Sequence, residues 1–236
     1  MKHTAEIFDA SIVVLGNFNP AIFSPDWLER NELIGKEDGD DARSRSSLIV
    51  SQQVTSYETD WFFLQVLENQ FTLMSKGVVT PAFRDLAEGI LTLVPHTPVT
   101  AVGVNFMSHF HMPTQDAYYK VGDVLAPKQI WRKIFPEEQG TPGVLDLMIG
   151  IQQVRRGDPN TNPDVVRIQL QPSAKIAFPK YGIFLSYNDH RAAFAKQPGR
   201  KTTAERAAEI IAKDWEGAWK EAVRVFDALL TKVEEA

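Results

Sequence analysis

A chain of 236 residues that is 44% apolar, with five Trp and fourteen Phe, can fill a sizeable core, and it contains no run of 18 apolar residues of the kind that crosses a membrane. Cysteine is absent, which excludes disulfides, thiol nucleophiles and thiolate metal sites and suits a cytoplasmic setting. The net charge of −5 places nucleic acid second among partners, although it is unevenly spread: residues 1–119 sum to −8, residues 120–201 to +6 and residues 202–236 to −3.

The N-terminal MKHTAEIFDASIVVLG is too short and too interrupted in its apolar run for a signal peptide, and its second part starts a strand predicted over Ser11–Phe18. Ser24 followed by Pro25 predicts a short capped helix carrying Trp27. The stretch from Gly35 to Ser47, GKEDGDDARSRSS, reads as a polar surface loop and the segment most open to disorder or cleavage. Strands are expected over Leu48–Tyr57, Trp61–Leu67 and Phe71–Ser75, the second with both faces covered. A helix opens at Thr80-Pro81, carries Phe83, Leu86, Ala87, Ile90, Leu91 and Val94 on one stripe, and ends before Pro95 and Pro98.

The same order then returns. A strand runs from Val99 to about Phe110, a Pro-led helix carries Trp131, and strands are expected over Leu145–Arg155, Val165–Gln171 and Gly182–Tyr187. Thr202-Thr203-Ala204-Glu205 is a capping box, and behind it lies the longest helix, to about Val233, with Trp215, Trp219 and Phe226 on its apolar side. At ~30 residues and 1.5 Å per residue it is expected to overhang a small sheet. Its aromatics are either core or contacts for a partner, and Gly217 between the two Trp residues permits close approach or a bend.

Each half thus reads strand, helix, three strands, helix, with VVLGNF at 13–18 lying against AVGVNF at 101–106 and FSPDWL against LAPKQIW. The expected architecture is α+β: two βαβββα halves, 1–98 and 99–236, in one compact body with antiparallel sheet and helices packed on one side. The order resembles that of the TATA-binding-protein-like fold, whose units run β-α-β4-α. That resemblance implies architecture only, because no intercalating Phe pairs can be assigned. The stretches HTPVTAVGVN, LAPKQIW and FRDLAEGI, which cover the middle of the chain, also resemble a group of sporadically distributed bacterial proteins of unknown function, and this implies no catalytic residues.

Three constellations bear on chemistry. His109 and His111 share one face of a strand and can supply two imidazole ligands, with His190 as a third; the alternative, and the expectation, is that they end a structural strand. Ser186, Asp189 and His190 have the residue types of a hydrolase triad, but neighbours on a strand point to opposite faces and no G-x-S-x-G elbow is present. Lys128, Arg132, Lys133, Arg155, Arg156 and Arg167 in the basic middle form a candidate anion-binding set. The glycines build no phosphate loop, and no cofactor is implied. The expected function is therefore non-enzymatic binding or scaffolding, as a homo-oligomer or a subunit of a bacterial complex, with Trp215, Trp219 and Phe226 as candidate contacts. Anion or nucleic-acid binding and a metal-dependent His site are the alternatives.

Overall fold

The computed structural model describes residues 3–135, 140, 142–153, 164–176, 180–192 and 202–236. In chain order it has β1 (Ile7–Gly16), a single 3-10 turn (Pro20–Ile22), α1 (Pro25–Arg30), α2 (Lys36–Ser44), β2 (Ile49–Val50), β3 (Val54–Glu58), β4 (Phe62–Leu67), β5 (Gln70–Ser75) and α3 (Pro81–Leu93). There follow β6 (Val99–Met112), α4 (Gln115–Leu125), α5 (Gln129–Ile134), β7 (Leu147–Gln153), β8 (Asp164–Pro172), β9 (Tyr181–Ala192) and α6 (Thr203–Glu235). The chain is α+β, with one nine-stranded antiparallel sheet in the order β2-β3-β4-β5-β1-β6-β9-β8-β7.

Period-two burial explains why the helices gather on one face. Ala10, Ile12 and Val14 on β1, Phe62, Leu64 and Val66 on β4, and Val102, Val104, Phe106 and Phe110 on β6 are all 5% exposed or less. Their register neighbours Phe71, Leu73, Ile183, Leu185 and Tyr187 carry the same layer across β5 and β9. Helices α4 and α6 contact β6 and β9 on this side, and the Pro20–Ile22 turn contacts β3, where the Thr55 hydroxyl donates to the Pro20 carbonyl at 2.7 Å. The intervening positions form the opposite, open face. On β4 only the Phe62, Leu64, Val66 side is buried, so the expectation of cover on both faces fails there.

Helix α6 does not overhang. Thirty-three residues span about 50 Å and the fourteen of β6 span about 46 Å, so helix and strand match in length. They also run in the same direction: the Val99 N–H donates to the Thr203 hydroxyl at 2.8 Å, the Phe106 ring meets Trp215 at 4.9 Å and Trp219 at 5.5 Å, and Phe110 meets Phe226 at 6.2 Å. Buried positions accordingly continue from Ala204 to Val233. The start is the expected capping box, with Thr202 and Glu205 satisfying each other's backbone N–H groups. Gly217 leaves α6 continuous.

Two elements depart from the sequence reading. The segment expected to be a disordered loop forms α2, because tertiary partners supply what its composition lacks. Its Arg43 donates to Asp26, Glu29 and Asp40 at 2.6–2.7 Å, the following Arg45 donates to Asp41, Glu58 and Asp60, and Asp38 accepts from the Trp61 indole at 2.9 Å. A Cβ at Gly39 would stand 2.5 Å from the Glu29 carboxylate, so glycine leaves the Glu29–Arg43 pair between α1 and α2 undisturbed. Helix α4 falls where no helix is predicted, although Thr114 caps it at Ala117 and Tyr118, Val121, Val124 and Leu125 form a short stripe packed on the core.

Outward from the β1–β6 centre, the orders β1-β5-β4-β3 and β6-β9-β8-β7 mirror each other. The matched letters do not fall on matched places: Asn17-Phe18 follow the end of β1, whereas Asn105-Phe106 lie inside β6.

Candidate interaction surface

His109 and His111 both lie on the open face of β6, but they occupy different surroundings. His109 is 5% exposed and paired with Phe184, whose ring lies 5.0 Å away. Above it passes the segment after β8, in which the Ser173 hydroxyl accepts from the Lys175 and Ile176 N–H groups and lies 2.7 Å from His109 Nδ1. With its acceptor sites so used, that hydroxyl donates its single proton to Nδ1, which places the imidazole proton on Nε2 and keeps the ring neutral. Burial, with the nearby Lys175 ammonium, holds the His109 pKa below its ordinary 6.5. His111 sits at the strand end, 3.9 Å from Glu6, and lines a cavity of about 350 Å³ with His3, Lys120 and Glu234.

His190 is elsewhere. On β9 it stands six residues from Phe184, the partner of His109, so about 20 Å separates the two histidines along the strand. The three do not converge, and no cluster of three metal-ligating side chains occurs among the described residues. His190 is also held below its ordinary pKa, first by burial and then by Arg167. Because the unfolded chain takes up protons below about pH 6.5 that these two folded histidines refuse, stability is expected to fall as pH drops through that value. Thermal melts between pH 8 and pH 5 check this: His109→Asn must flatten part of the decline, and an unchanged slope would show that His109 does not contribute.

The hydrolase-like stretch separates as strand geometry requires. Asp189 faces the helices, where Arg191 holds it at 2.8 Å and reaches Asp214 of α6 at 2.9 Å. Ser186 and His190 face the open side, about 13 Å apart along the strand. Four residues in register do meet there: Ser11, Asn105, Asn188 and Arg167 form a hydrogen-bonded row across β1, β6, β9 and β8. Sequence inspection marked Arg167 but not the row, because register between distant strands has no local signal.

The basic set does not gather. Arg167 belongs to this row, Lys128 is buried against Asp123 at 2.6 Å, Arg132 and Lys133 sit in the last turn of α5, and Arg155 and Arg156 lie outside the described residues. Of the α6 aromatics, Trp215 and Phe226 are core and Trp219 is half-buried. Trp215 is 3% and Phe226 0% exposed, and Trp219 packs on Phe8 and Phe106. The length match with β6 lets buried positions run from Ala204 to Val233, while Ile210, Trp219, Val225 and Leu229 stay half-buried at the margin of the stripe.

The exposed apolar side chains lie elsewhere. Of fifteen large apolar residues exposed among the described ones, eight fall within residues 130–151: Ile130, Trp131, Ile134 and Phe135 at α5, Leu145, and Met148, Ile149 and Ile151 on β7. Among the described residues strand β7 is the sheet edge, paired with β8 alone, and its central residues are exposed on both faces. On the helix side a cleft of about 490 Å³ runs between β7–β9 and α6, floored by Ile151, Val166, Ile168 and Tyr187 and walled by Gly217 and Val225. A Cβ at Gly217 would meet nothing within 4 Å. No helix among the described residues is long and apolar enough to cross a membrane. No protein-family model matches the chain and no curated protein matches it, which leaves its surface chemistry to carry the functional argument.

Proposed function

We propose that this chain is a non-enzymatic binding or scaffolding protein that acts by associating with itself or as a subunit of a larger complex, and that its contact surface is the apolar region of α5 and β7. The observation that carries this reading is the concentration of exposed Ile, Trp, Phe and Met within residues 130–151, while on β6 and β9 the apolar side is covered by α4 and α6. Large apolar side chains left exposed along an edge strand are a usual mark of a contact surface. Light scattering over a range of concentrations tests it. A mass above one chain is expected, falling when Trp131 is replaced by Ala or Ile149 by Lys. A strict monomer that no substitution alters, with no partner subunit recovered on that surface, would overturn it.

A second reading, anion binding on the open face, draws support from Arg167 at the end of the polar row and beside His190. Retention on an anionic matrix that weakens with salt, and that Arg167→Ala reduces, would favour it.

A further inference from the structure

We infer that β7 is the edge through which two copies of this chain pair, antiparallel and centred on Gly150, to make one continuous eighteen-stranded sheet. This rests on the self-association reading above and commits it to one occupant and one register. Natural sheet edges are blunted by charge, by proline or by brevity. The opposite edge, β2, follows that rule with two residues, whereas β7 presents seven, LMIGIQQ, with neither charge nor proline.

Symmetry selects the register. When a strand pairs with its own copy about a two-fold axis normal to the sheet, opposed residues must share a face, so the axis passes through a residue that meets itself. Centring on Gly150 is the choice that pairs all seven described residues of β7. It sets Ile149 against Ile151 of the second copy on the helix side, and Met148 against Gln152 on the open side. Two half-exposed isoleucines, at 50% and 44%, thereby cover each other twice. A charged residue in such a strand would meet its own symmetry-related field, and LMIGIQQ carries none. Glycine within a strand weakens it unless another backbone comes close, and on the axis one does.

Because the native chain has no cysteine, Gly150→Cys introduces a single thiol. Its Cβ has room, with Val165 Cγ1 the nearest atom at 3.7 Å. Opposed residues in an antiparallel pair have Cα atoms about 4.5 or 5.5 Å apart, inside the range a disulfide spans. Met148→Cys, by contrast, would stand about 13 Å from its own copy. The expected results are a wild-type mass twice the 26.5 kDa chain, a disulfide-linked dimer from oxidised Gly150→Cys, none from Met148→Cys, and a halved mass for Ile151→Lys with an unchanged circular dichroism spectrum. If Ile151→Lys fails to fold, the cysteine pair decides alone. A wild-type dimer in which Gly150→Cys does not link, or Met148→Cys links as readily, overturns this pairing and leaves the broader self-association reading standing. A strictly monomeric wild type overturns the pairing and self-association together, leaving a complex with a different protein.

Discussion

Replacing Phe106 with alanine is expected to cost about 3–5 kcal/mol, roughly a fifth or more of the ~5–15 kcal/mol that holds a typical domain folded. The ring is fully buried on β6, one of the two strands at the sheet's centre, and Trp215, Trp219 and Phe8 all stand against it, with centroids at 4.9, 5.5 and 6.3 Å. Its loss opens a cavity whose lining consists of large aromatic rings on two different elements. These cannot collapse inward without shifting α6 along its whole seam with β6. At about 2–4 °C per kcal/mol for a chain of this size, the melting temperature should drop on the order of 10 °C, with a red shift of Trp emission as Trp219 meets water. A loss below about 1 kcal/mol would mean that α6 is held chiefly by α3, whose Phe83 ring lies 5.8 Å from Trp215, and by its ends through Thr203 and His3, and not by the seam with β6.

Gly182→Ala should have the next largest effect, about 1–3 kcal/mol from overpacking. Gly182 lies on the open face of β9, and the segment after β8 folds down onto it. An added methyl would stand 2.4 Å from Ile176 Cβ and 2.6 Å from the Ile176 carbonyl oxygen. A backbone atom is among those contacts, so rotation of a side chain cannot relieve them. The segment must lift, breaking the bond from the Ser173 N–H to the Gly182 carbonyl at 2.9 Å and removing the cover from His109. The signature is therefore specific: in the wild type the His109 ring titrates below 6.5, and in Gly182→Ala its pKa should climb back toward that value. Destabilisation with an unmoved His109 titration would show that β9 yields instead of the segment. The identity of residue 182 would then govern the sheet and not the cover.

What could be read from residues alone is what local periodicity and end signals determine. Ser24-Pro25, Thr80-Pro81 and the Thr202–Glu205 box mark helix starts within four residues of chain, and the 3.6-residue stripe on α3 and α6 needs no distant partner to be recognised. Strand alternation likewise placed β4, β5, β6 and β8 and fixed which side chains share a face, so His109 and His111 were correctly put together and Asp189 and His190 apart. The α+β class with helices on one side follows from these same patterns.

Tertiary structure decided everything that depends on which distant surfaces meet. Helix α2 forms because Asp26, Glu29, Glu58 and Asp60 come from other elements to hold Arg43 and Arg45, and no property of GKEDGDDARSRSS announces those partners. Trp215 and Phe226 became core, and Trp219 half-buried, because β6 proved as long as α6, and because α3 packs beside α6 with Phe83 on Trp215. The uncovered apolar surface passed instead to α5 and β7, whose residues look in sequence like any other short helix and strand. Burial is a property of pairs of surfaces: a stripe of apolar residues in sequence shows that something must cover it, and only the fold determines whether the chain itself supplies the cover.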